Sequence, residues 1–177
     1  MSSISSSKAR ANGAMLEAMV ENGCREYAKK GFARVHKTPE PMKPISAGQG
    51  GRYTAVYTKK AQPDFQGTLR GGRSIVFEAK YSNGDQIAQG RITQIQWEEL
   101  DAHQNLGARC FVLICFRFEI FAMIPWEDWK RMKQLVGRLH LKPTDELVET
   151  YKVKRNGPAI LFLDYCWPPM GYIGGGI

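Results

Sequence analysis

Three side chains within a short stretch could do chemistry together. In residues 74–80, period-two geometry places Ile75, Phe77 and Ala79 on one face of a strand and Val76, Glu78 and Lys80 on the other. An acid and a base two residues apart in such an apolar strand need a reason, because unpaired buried charge is costly. Arg70-Gly71-Gly72 supplies a turn, and a hairpin centred on Gly71 sets Asp64 opposite Glu78. Directly opposed side chains have Cβ atoms about 5 Å apart, where like charges repel. A divalent cation would turn that repulsion into attraction. Two carboxylates completed by water and a substrate phosphate suit Mg2+, with Mn2+ as the alternative ion. Lys80 could then orient a water or stabilise charge developing on phosphate oxygens. The chemistry is phosphodiester hydrolysis. The plainer reading is a structural Glu78–Lys80 ion pair with Asp64 as a turn residue.

The surrounding pattern is mixed α/β. Residues 14–30 carry Met15, Met19, Val20, Cys24 and Tyr27 near helical spacing and stop at Gly31. A short strand over 32–36 follows, and the Pro-rich run 38–44 should break regular structure. Gly48, Gly50 and Gly51 suggest a turn before a strand over 53–60. After the 64–80 hairpin, residues 92–106 read as a helix ended by Gly107. Residues 109–117 and 119–124 read as paired strands, Pro125 opens a helix, and 159–164 is a late strand. We see no internal repeat. The expectation is one domain over 14–170, a protruding segment near 40–61, and flexible ends at 1–13 and 171–177.

Composition narrows the partners. The 177 residues carry a formal net charge of +8, with globular proportions of apolar and charged residues. The excess is lopsided: residues 1–89 hold 14 Lys and Arg against 7 Asp and Glu, while 90–177 hold 11 against 10. Between Lys29 and Arg73 stand ten basic residues and only Glu40 and Asp64 as acids. Clustered cations of this kind attract polyanions. No apolar run approaches the ~18–20 residues that span a bilayer, and residues 1–10 lack the apolar core of a signal peptide. Cys24, Cys110, Cys115 and Cys166 make no CxxC pair, which fits reduced thiols in a cytoplasmic protein.

The motifs together resemble a known family. Pro63-Asp64, a gap, then Glu78-Ala79-Lys80 matches the PD-(D/E)xK nuclease signature, and the chain is similar to RecU-type Holliday junction resolvases. Leu16-Glu17, Tyr27 and His36-Lys37-Thr38-Pro39 resemble that family's first helix and its HKxP segment. Asp64-Phe65-x-Gly67, Phe77-Glu78-Ala79-Lys80, Gln96-Trp97-Glu98 and Cys110-Phe111-Val112-Leu113-Ile114 follow in order, so the likeness covers residues 14–125 well. It implies a restriction-endonuclease-like mixed sheet flanked by helices, with a stalk, and a homodimer acting on four-way junctions. It also implies Asp64 and Glu78 as metal ligands, with the Ala79 carbonyl and Gln96 completing the set, Lys80 as the catalytic lysine, and Glu17 projecting toward the same site. The chain departs from the pattern where Pro63 replaces the usual Thr, which removes a side-chain ligand. The 64–78 gap is one residue longer, the 80–96 gap one shorter, and the 39–61 segment slightly short.

Arg34, His36, Lys37, Lys59, Lys60, Arg70 and Arg73 are the candidate contacts to the DNA backbone. Two other readings compete: a nuclease on duplex or flap DNA, and a non-catalytic DNA-binding module. Two facing carboxylates argue against the second, since they would repel phosphate unless a cation intervened.

Overall fold

Gly71 and Gly72 both adopt positive φ, and the chain doubles back there to pair β4 (Phe65–Leu69) antiparallel with β5 (Ser74–Ser82). The register is the one that a hairpin centred on Gly71 requires, with Phe65 opposite Phe77 and Gly67 opposite Ile75. The structure, a computed structural model, describes residues 2–39, 41–47, 50, 52–57 and 62–164.

Around that hairpin the sheet has five strands in the order β1-β4-β5-β7-β8. β1 (Ala33–Lys37) pairs antiparallel with β4; β7 (Arg109–Phe116) pairs parallel with β5 over eight residues; β8 (Ile120–Pro125) pairs antiparallel with β7. The parallel pair needs a crossover, supplied by α2 (Gln94–Asn105). The architecture is therefore a mixed sheet flanked by helices, as expected.

Each face of the sheet carries its own core. α1 (Ser2–Lys29) lays Leu16, Met19, Val20 and Tyr27 against Ile75, Phe77, Leu113 and Met123. On the other face, Leu100 of α2 joins Val76, Val112 and Ile114. Trp126 and Trp129 of α3 (Trp126–Lys130) and Met132 of α4 (Met132–Val136) complete that core. Two glycines permit close approaches: a Cβ on Gly67 would stand 2.0 Å from the Arg34 carbonyl oxygen, and one on Gly23 2.1 Å from that of Ile160.

Smaller pieces fill the rest. β6 (Ile87–Ala88) pairs with β9 (His140–Leu141), and β10 (Lys154–Asn156) with β11 (Ala159–Leu161). α5 (Glu146–Thr150) leads into residues 151–153, which run along β8 through Met123 N to Tyr151 O, Val153 N to Phe121 O and the Ala122–Lys152 bridge.

Two expectations need correction. The first helix begins at Ser2 and not near residue 14, because Ala9 and Ala11 continue it with high helix propensity where apolar periodicity gives no signal. The Pro-rich run does not prevent a strand: β2 (Met42–Ala47) includes Pro44 and pairs with β3 (Tyr53–Tyr57), with a register shift between Pro44 and Ser46. A two-stranded ladder has open edges on which a missing N–H is tolerated. This hairpin is outside the central sheet, with Met42, Ile45, Tyr53 and Val56 exposed. No helix among the described residues is long and apolar enough to cross a membrane.

Candidate active site

The sheet puts the chemistry-bearing residues where β4 begins, beside the middle of β5. Asp64 precedes β4 and, in the hairpin register, lies opposite Glu78 just beyond the paired residues. Its Oδ2 accepts a hydrogen bond from Ala79 N at 3.0 Å, which fixes the carboxylate against β5. Glu78 is fully buried.

One oxygen of Glu78 is crowded with donors and the other has none. Lys80 Nζ stands 2.8 Å from Glu78 Oε2, and Gln96 Nε2 donates to the same oxygen at 2.6 Å. Oε1 is buried without a hydrogen-bond partner. Burial first, and then the Asp64 charge, push the Glu78 carboxyl up to about 8; Lys80 opposes the shift.

Gln96 is held by the start of its own helix. Thr93 caps α2: its side chain accepts from Gln96 N, and Gln96 Oε1 accepts from Thr93 N at 3.1 Å. The same Oε1 accepts from Lys80 Nζ at 3.3 Å. The Gln96 amide thus orients Glu78 and Lys80 together, and its oxygen already has donors. The Thr93-x-x-Gln96 spacing was a readable capping signal that a search for catalytic residues passes over.

An open cleft of about 580 Å³ lies over these groups, lined by Asp64, Ala79 and Lys80 from the sheet side, Gln96 from α2 and Glu17 from α1. Glu17 lies at this cleft, where Lys37 Nζ pairs with it at 2.7 Å. Lys8 and Asn12 of α1 and Arg91 before α2 also line the cleft. Sequence reasoning missed these three, since only tertiary packing brings them to the site.

Among the described residues no group of three or more His, Cys, Asp and Glu side chains is placed to hold a metal. The site offers two carboxylates, and further ligands would be carbonyl, amide or water oxygens. That all-oxygen set, with a buried carboxylate oxygen lacking a donor, fits a hard divalent cation.

The candidate DNA contacts divide. Arg34 and His36 alternate outward on β1 and are exposed. Arg70 instead donates from Nε to Gly31 O at 3.0 Å and from Nη2 to Lys30 O at 3.3 Å, and stacks over Phe32, closing the end of α1. Arg73 Nε donates to Gly107 O at 3.1 Å, tying the hairpin to the end of α2. Lys59 and Lys60 lie outside the described residues. Cys24, Cys110 and Cys115 are buried, and burial pushes each thiol up to about 12, which leaves them inert.

A model of the family described as Recombination protein U matches residues 11–165, which include Glu17, Asp64, Glu78, Lys80 and Gln96. The chain belongs to the RecU family. It is 26% identical over 159 residues to the Holliday junction resolvase RecU of Streptococcus gordonii, covering 86% of this chain and 70% of that protein. It is also similar to the structure of Archaeoglobus fulgidus Hjc, a Holliday junction resolvase from an archaeal hyperthermophile. There the identity is 16% and the TM-score 0.46, over 81% of this chain and 91% of the other.

Proposed function

We propose that this chain is a divalent-metal-dependent endonuclease that resolves four-way DNA junctions by paired nicks. The observation that carries the reading is the Asp64–Glu78 pair, two carboxylates brought together where β4 begins, with Lys80 and Gln96 on one oxygen and nothing on the other. RecU membership and the S. gordonii resolvase supply the substrate class.

Asp64 and Glu78 would hold the cation, Mg2+ or Mn2+, with the Ala79 carbonyl beside them and Gln96 fixing Glu78. When bound, the ion supplies polarisation of the scissile phosphate and lowers the pKa of the attacking water. Lys80 orients that water and offsets charge on the phosphate oxygens. Glu17 and Lys37 form the opposite wall. Arg34, His36 and Lys37 contact the DNA backbone. Symmetric cutting of a two-fold junction needs two such sites, which a C2 homodimer provides.

The test compares a labelled four-way junction with linear duplex of the same sequence, each with Mg2+ or EDTA, for wild type and Asp64→Asn. Paired nicks in the junction alone, dependent on metal and on Asp64, are expected. Cutting of both substrates would reduce the reading to a nuclease without junction selectivity. Junction binding without cutting in either metal would leave a binding module.

A further inference from the structure

The face of the sheet that carries Glu78 is covered over only part of its width. α2 packs against β5 and β7. On that face β1 and β4 instead present Arg34, His36, Gln66 and Thr68, all exposed or half-buried. Between this strip and α2 runs a groove of about 360 Å³, separate from the cleft over Asp64. Its polar lining includes Lys37, Thr38, Gln66, Thr68, Ser74 and, on the helix side, His103; among the described residues no carboxylate lines it.

The groove also holds an unsatisfied group. Thr38 is 2% exposed and its Oγ1 has no hydrogen-bond partner among the described residues. A buried hydroxyl without a partner is costly unless a ligand completes it. Thr38 N donates to the Asp64 carbonyl at 2.9 Å, so the groove begins beside the catalytic carboxylate. Hydroxyl and amide donors of this sort are common partners of phosphate oxygens.

Extended chain sets the spacing. Asp64, Gln66 and Thr68 follow one another along one face at steps of about 7 Å, and a nucleic-acid strand advances about 3.4 Å per nucleotide. We propose that this groove is a second backbone subsite, which holds the DNA strand about two to four nucleotides from the cut bond through uncharged donors of Thr38, Gln66, Thr68 and Ser74. The proposal rests on the nuclease reading above and extends it to residues outside the metal site.

Its test is binding of a four-way junction, in Ca2+ so that a cation offsets the facing carboxylates, to wild type, Thr38→Val, Thr68→Val and the double variant, across a salt series. Each single variant should bind about tenfold more weakly, the size of a lost hydrogen bond to a charged acceptor, and the double variant about a hundredfold. The slope of log Kd against log salt should stay the same, since no cation is removed. A methylphosphonate three nucleotides from the cut should weaken wild type and leave the double variant unaffected. Thr68 is exposed on a strand where Val is well accepted, so its single variant reports binding even if Thr38→Val folds poorly. Equal affinity of wild type and Thr68→Val, with no methylphosphonate effect, would overturn the subsite. So would variants that alter dimerisation in sedimentation while binding DNA normally, because a second copy would then occupy the groove. Wild type that binds no junction in the same titration would instead remove the nuclease reading.

Discussion

Glu78 holds a proton more tightly in the folded protein than in an unfolded chain, because folding buries it beside Asp64. With the folded value raised from 4.5 to about 8, the stabilisation is fully present below about pH 4.5 and is lost as the pH rises toward 8. The loss amounts to several kcal/mol at most. Thermal melts of metal-free protein should therefore fall in Tm between pH 5 and 8, and Glu78→Gln should flatten that fall. A variant as pH-dependent as wild type would show that Glu78 is not the source. Mg2+ should raise the wild-type Tm more at pH 8 than at pH 6, because binding must displace the proton. The pairing of Asp64 with Glu78 was legible because a three-residue turn centred on Gly71 and a period of two leave little freedom in register. The proton affinity was not, since it depends first on how completely tertiary packing buries the carboxyl.

At the scale of elements, α2 both spans the crossover and aims Gln96. Its N-cap is part of the site's support, since Thr93 fixes the amide that touches Glu78 and Lys80. Thr93→Ala should cost about 1 kcal/mol of stability and should also lower cleavage at saturating substrate, whereas Thr93→Ser should restore most of both. Melting and single-turnover cleavage of the two variants check this; an alanine variant with a lower Tm but full cleavage would confine Thr93 to capping. Helix and strand periods exposed α2, β7 and β8 within a residue or two. The α1 start and β2 were misread, because alanine-rich extension and a proline on an open edge depend on what surrounds them. Arg70 shows the same limit: a basic residue in a basic stretch turns out to close the end of α1.

For the whole molecule, the two cores make the sheet a shared wall. Its end strands are finished differently. β1 alternates buried Ala33 and Val35 with Arg34 and His36, and charge on an exposed edge discourages further strands from adding. β8 is apolar along Ile120–Pro125, and what shields it is the run of residues 151–153 laid along its backbone. A chain cut back to residue 150 would bare the Met123 amide and the Phe121 carbonyl on an apolar strand and take Ile160, Phe162 and Leu163 out of the α1-side core, opening the edge to strand addition. Such a truncation should form thioflavin-positive, sedimentable aggregates at concentrations where the full chain stays clear; a clear, monodisperse truncation would contradict this. Three residues separated from Glu78 by two strands thus act as a selvedge, keeping the sheet from being woven into a longer one.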